Sequence, residues 1–119
     1  MPADPDAELT DAEVAELAQA LVDERAERRA RAQTLQDELA RRDACSLLDA
    51  ADVAADKQAR VAIAAELERI ERTQQAIDAA EGRLAHGTYG VCLGSGEPIG
   101  IRRLRAIPWA TTAVLDERA

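Results

Sequence analysis

Ile63, Ile70, Ile77 and Leu84 recur at intervals of seven residues, and Leu67 completes one a/d step between them. Large aliphatic side chains at that spacing define a coiled-coil seam, because the heptad keeps one stripe of a helix turned toward a partner helix. Gln74 and Glu81 occupy the alternating positions, so the seam is thin. A helix over about residues 53–85 therefore needs a second helix, and only the preceding stretch is long enough to supply it. There Thr10 and Glu13 have the spacing of a capping box, in which hydroxyl and carboxylate satisfy free amides at a helix start. No Gly or Pro follows as far as Ala44. Val14, Ala18, Leu21, Ala32, Leu35 and Leu39 form a 3-4 spaced stripe, interrupted by Arg25 and Arg28. Glu24 with Arg28 and Glu27 with Arg31 have the i,i+4 order that supports an exposed helix.

The expected architecture is all-α, a long antiparallel coiled-coil hairpin on a small globular base. The turn falls around Cys45 to Asp52, where Ser46, Asp49 and Asp52 concentrate helix-capping residues. At about 1.5 Å rise per residue, each arm spans about 45–50 Å. Composition agrees: 27 residues are Ala, Phe is absent, and Trp109 and Tyr89 are the only aromatic residues. That set cannot fill a wide interior but suits long exposed helices. His86-Gly87 ends the second arm, with Gly87 placed for a left-handed cap and His86 suited to the helix C-terminal dipole. Beyond Thr88, Gly90, Gly94, Gly96, Pro98, Gly100 and Pro108 alternate with Val91, Ile99, Ile101, Leu104, Ile107 and Trp109. So small a segment must pack on the stem or use a staple. The boundaries expected are a flexible lead-in over 1–9, a hairpin over 10–86 with its tip near 45–54, and a base over 87–119.

Net charge is −8 and the pI about 4.6, which opposes direct DNA binding, since phosphate contacts rely on clustered Lys and Arg. No run approaches the roughly 20 apolar residues of a membrane span, and the acidic start is unlike a signal peptide. A cytoplasmic protein without membrane association is expected. Cys45 and Cys92 are expected as two free thiols, far apart at tip and base. No acid/base pair, phosphate loop or nucleophile triad is present. A thiol switch at Cys45 or Cys92 would need a base or cation that the motif lacks, so no enzyme activity is expected.

Gly87-Thr-Tyr-Gly-Val-Cys92-Leu-Gly-Ser95-Gly96-Glu-Pro-Ile99, followed by Arg103-Leu104-Arg-Ala-Ile-Pro108, resembles the DksA/TraR family motif G-x-Y/F-G-x-C-x-x-C-G-x-x-I with R-L-x-A-x-P. The family's tip motif D-x-x-D-x-A is matched by Asp49-Ala-Ala-Asp52-Val-Ala54 at the expected turn. The resemblance implies a bacterial transcription regulator, acting in the stringent response, that enters the secondary channel of RNA polymerase without reading DNA. It assigns Asp49, Asp52 and Ala54 to a polymerase-modulating tip, and Arg69, with Arg72 one turn on, to polymerase binding. Against those roles stand plainer ones: Asp49 or Asp52 as a helix cap, and Glu68–Arg72 as a solvent-facing pair. A self-associating structural hairpin or adaptor without polymerase activity is the alternative function; a monomer is expected.

The same resemblance places the four zinc positions at Cys92, Ser95, Ala113 and Asp116. Structural zinc needs four donor side chains, and Ala has none, so no metal or other cofactor is expected. A rescued site from Cys92, Asp116 and His86 is disfavoured. Packing of Ile99, Leu104, Ile107, Trp109 and Val114 is expected to replace the metal staple. Positions matching the family's ppGpp-binding residues are Ala76, Ile107 and Glu117, none of which offers a cation. Relatives often continue beyond the position of Ala119 as a further helix, whose contacts are then expected to be missing.

Overall fold

A computed structural model describes residues 8–44 and 50–111. The chain forms α1 (Asp11–Ala44), α2 (Ala50–His86) and the short α3 (Ile101–Ala106). The fold is all-α, with the two long helices packed as an antiparallel hairpin. Among the described residues the only β-type pairing is an isolated antiparallel bridge between Val91 and Pro98. No helix among them is long and apolar enough to cross a membrane.

The helix ends follow local chemistry. Thr10 N–H donates to Glu13 Oε1 at 2.9 Å, and Glu13 N–H donates to Thr10 Oγ1 at 3.1 Å, which closes the capping box. At the other end of the pair, Thr88 N–H donates to Arg83 O and Gly87 N–H to Leu84 O. Gly87 has φ +77°, and this pattern is a Schellman termination that requires the left-handed backbone. His86 places Nδ1 2.7 Å from Gly82 O, one of the last carbonyls of α2.

Two compact units divide the chain, Met1–Glu24 with Gln75–Ala119, and Arg25–Gln74. In the second unit, Leu35, Ile63 and Ile70 form a buried cluster edged by Ala32, Leu39 and Leu67. In the first, Leu21, Ile77 and Ala80 are fully buried, with Leu84, Tyr89 and Trp109 packed against them. A neighbouring cluster joins Leu17 of α1 to Cys92, Ile99, Leu104 and Ala110, flanked by Leu9, Tyr89, Ile101 and Ile107. Leu17 lies outside the stripe read from sequence, because it faces the segment after α2 rather than α2 itself.

The register has a simple form. Leu21 packs with Ile77, Leu35 with Ile63, and Arg42 pairs with Asp56, and the members of each pair lie equally far from residue 49. Facing positions are thus heptad-spaced on both helices, as an antiparallel seam demands.

A seam with so few large side chains should be sensitive at each of them. Ile77→Ala is expected to cost about 2–5 kcal/mol through lost burial and an unfilled cavity. Val61→Ala, at a site 62% exposed, should stay within about 0.5 kcal/mol. Urea unfolding monitored by Trp109, the only tryptophan, measures both; equal losses would mean that the seam is not the principal source of stability.

Candidate functional site

Two parts of the chain hold the residues singled out by sequence. The first is the hairpin turn. Cys45 and Asp49 lie outside the described residues. Asp52 is exposed in the first turn of α2, and Ala54 is exposed half a turn further on. A carboxylate there is favoured by the positive end of the helix dipole, so its position alone does not separate capping from function.

The helices flanking the turn are tied by ion pairs. Arg42 Nη1 donates to Asp56 Oδ1 at 2.9 Å, Arg60 Nε donates to Asp56 Oδ2 at 2.7 Å, and Arg60 Nη1 donates to Asp43 Oδ1 at 2.6 Å. Arg42 is held on its own helix by Glu38 at 3.0 Å. Hydrogen bonds from Arg60 and then Arg42 hold the Asp56 carboxyl below the ordinary carboxylate range. A lowered folded-state value means that the pairs are intact at neutral pH and weaken only as acid protonates Asp56 below that range. Sequence inspection passed over this group because its two inter-helix bonds become readable only once the register is known; the i,i+4 pairs Glu38–Arg42 and Asp56–Arg60 were the available signal.

Further along the same unit, Arg31, which spacing sets beside Glu27, makes a two-pronged contact with Glu66 of α2. That hydrogen bond is the main reason why the Glu66 carboxyl sits below its usual range, with the charge of Arg69 adding to it. Arg69 is exposed. Arg72 lies 4.0 Å from Glu68 with both side chains about two-thirds exposed, a pairing of little energetic weight. Both arginines lie on the exposed surface of α2.

The second part is the segment after α2. Ile99 N–H donates to Gly90 O, Cys92 N–H to Glu97 O and Gly96 N–H to Cys92 O, all at 2.8–2.9 Å, which builds a tight knuckle over residues 90–99. Gly90 has φ +86°, a backbone conformation that favours glycine, and a Cβ there would sit 3.0 Å from Leu9 Cδ1, so Leu9 would have to shift. Leu93 N–H donates to Thr111 O at 2.9 Å. Tyr89 O–H donates to Pro108 O at 2.7 Å, and burial pushes its phenol up to about 12. Arg105 pairs with Glu16 of α1 through two bonds, at 2.8 and 3.1 Å. That contact, unread in the sequence, spans 89 residues.

The donor set does not fit a structural zinc. Cys92 is 1% exposed and its side chain belongs to the apolar cluster with Leu17 and Leu104. Ser95 is exposed, and its Oγ accepts a bond from Glu97 N–H at 3.3 Å within the turn. Ala113 supplies no donor atom; it and Asp116 lie outside the described residues, as does Val114. Among the described residues no group of three His, Cys, Asp or Glu side chains could hold a metal. Ile99 and Leu104 are buried in the core, and Ile107 and Trp109 pack against it. Of the positions matched to ppGpp binding, Ile107 packs at the edge of the core, Ala76 is half-buried and Glu117 lies outside the described residues.

The fold and this knuckle define a class, helical-hairpin proteins with a zinc-finger-like segment whose metal donors have been replaced. Residues 87–112 match the prokaryotic dksA/traR C4-type zinc finger. The structure of transcription factor DksA2 from Pseudomonas aeruginosa is similar at TM-score 0.78 and 36% identity, covering 91% of this chain and 82% of that one. The chain belongs to the DksA/TraR family. It is also 39% identical over 66 residues to the RNA polymerase-binding transcription factor DksA of Caulobacter vibrioides, a match covering 56% of this chain and 46% of that protein. The chain thus matches about half the length of this curated relative. The RNA polymerase binding protein and transcriptional regulator Dks from Chlamydia trachomatis shares the fold, with TM-score 0.54 and 24% identity over 93% of this chain and 90% of that one.

Purified protein should contain far less than one zinc per chain by elemental analysis, and chelator should leave its helical signal and Trp109 emission unchanged, because metal binding is not part of its folding energy. About one zinc per chain, lost together with structure on chelation, would reverse this conclusion.

Proposed function

We propose that this chain is a non-enzymatic transcription regulator that binds RNA polymerase, inserts its hairpin into the secondary channel and modulates initiation through Asp49, Asp52 and Ala54. The observation that carries the reading is likeness to DksA2 across nine-tenths of the chain, with the D-x-x-D-x-A sequence retained at the turn. Charge supports it: with a net −8 the chain suits a basic protein surface better than a phosphate backbone. Exposed Asp52 can meet a cation or a metal ion, while Arg69 and Arg72 are placed to contact acidic groups on the partner. Polymerase regulation proceeds without ppGpp bound to this chain's base, since neither Ala76 nor Ile107 nor Glu117 can pair with phosphate. The protein acts as a monomer in the cytoplasm and makes no direct contact with DNA sequence.

Binding and modulation use separate residues in this mechanism, which makes them separable by substitution. Asp52→Asn keeps size and capping ability but removes the charge. It should bind core polymerase normally yet reduce the effect on promoter-complex lifetime roughly tenfold, the scale of one charge-assisted hydrogen bond. Asp49→Asn should lose less and the double variant at least as much as Asp52→Asn. A fully active double variant with normal binding would reduce the tip to a capped turn, and absence of polymerase binding by the unmodified chain would favour an adaptor or self-associating role.

A further inference from the structure

The heptad layer closest to the turn is charged. Counting outward from residue 49, the facing positions are Arg42 and Asp56, then Leu35 and Ile63. Leucine and isoleucine at the nearer layer would have stabilised the helix pair more simply, since burial of an ion pair is largely offset by its desolvation. What a polar layer adds is selectivity: an uncompensated charge in a slipped or rotated seam is costly, so a polar pair in the seam penalises every register but one.

We propose that Arg42, Asp43, Asp56 and Arg60 form a clasp that sets the register and rotation of the two helices at the turn, making them positioning residues for the acidic tip. The proposal rests on the reading of Asp52 as a modulating group. Its bonds form a closed path: Arg42 on α1 to Asp56 on α2, Asp56 to Arg60 on the same helix, and Arg60 back to Asp43 on α1. The Arg42–Asp56 contact is the sheltered part of the clasp, with Asp56 18% and Arg42 27% exposed, against 36% and 67% for Arg60 and Asp43 and 54% and 30% for Arg31 and Glu66 farther from the turn. The Arg42–Asp56 contact is therefore less screened by solvent than Arg31–Glu66.

Asp52, Asp56 and Arg60 lie four residues apart along α2 and so share one face of the helix. Asp56 is gripped from two sides, one turn away from Asp52. Fixing the rotation of α2 at Asp56 therefore fixes the direction in which Asp52 projects. Arg42 serves from the opposite helix and Glu38 holds it in place. None of these four needs to touch the partner.

The test compares Arg42→Gln/Arg60→Gln with Arg31→Gln, which breaks the inter-helix pair farther from the turn. Spin labels at Ala40 and Gln58, both exposed, report the helix separation in the isolated full-length chain carrying Cys45→Ser; Cys92, at 1% exposure, stays unlabelled. The clasp variant should broaden or shift the distance distribution and lower the effect on promoter complexes about fivefold or more while polymerase binding is kept, a loss on the scale of a hydrogen bond to a charged group. Arg42→Lys, which keeps the charge, should recover part of both, and Arg31→Gln should leave both unchanged. An unchanged distribution in the clasp variant overturns the proposal, as does a changed distribution with undiminished promoter effect, or an equal loss in Arg31→Gln. If the unmodified chain itself has no effect on polymerase, the functional reading fails separately, and the distance measurement alone decides whether the clasp fixes the turn.

Discussion

The antiparallel contact between α1 and α2 is the constraint from which the other features follow. It is made by few large residues, and each must meet its opposite number: Leu21 with Ile77, Leu35 with Ile63. A seam this sparse tolerates little slippage, since a shift of one residue on a helix moves a side chain by about 100° around its axis. In the first unit the same contact provides the floor for the C-terminal segment, because Trp109 and Tyr89 rest on the Leu21, Ile77 and Ala80 layer. Without the helix pair, residues 87–111 have no apolar surface of their own large enough to fold upon.

That dependence explains how a zinc-finger motif persists without its metal donors. Cys92, where the family motif has a metal donor, lies in the core among Leu17, Ile99 and Leu104. The knuckle is closed by backbone bonds from Cys92, Gly96 and Ile99, and Leu93 binds it to Thr111. Tyr89 to Pro108 and Arg105 to Glu16 add fixed points, the second of them to α1. Fixation of this segment is distributed over packing and hydrogen bonds, each modest alone.

Much of this was legible in the sequence because it is local. The Ile63, Ile70 and Ile77 heptad reads directly as a buried stripe, Thr10 with Glu13 as a cap and Gly87 as a stop, and all three behave accordingly. The base motif spoke through its glycines and the Cys92 spacing. Leu17 did not, because it stands one row off the coiled-coil stripe and its partners lie 75 or more residues away. Leu9 escaped for the same reason, being one apolar residue in a proline- and aspartate-rich lead-in that nevertheless packs against the core. The Arg42–Asp56 and Arg60–Asp43 pairs required the register, which a single sequence constrains only loosely. Arg31 was given a neighbour on its own helix by spacing, but its guanidinium found Glu66 across the seam.

Arginine is the recurrent departure from apolar pattern in α1, and its placement follows a rule. Arg28 and Arg42 both fall on the heptad positions of Leu21 and Leu35. Arg28 is half-buried with Nε shielded from solvent. Arg42 meets the Asp56 carboxylate of α2. On an acidic chain such cations serve twice, relieving repulsion among carboxylates and making some registers better than others. Asp56 and Glu66 are paired within the hairpin by arginine bonds that also keep them ionised. Charges that would repel one another along the helix thereby become part of what holds the hairpin together.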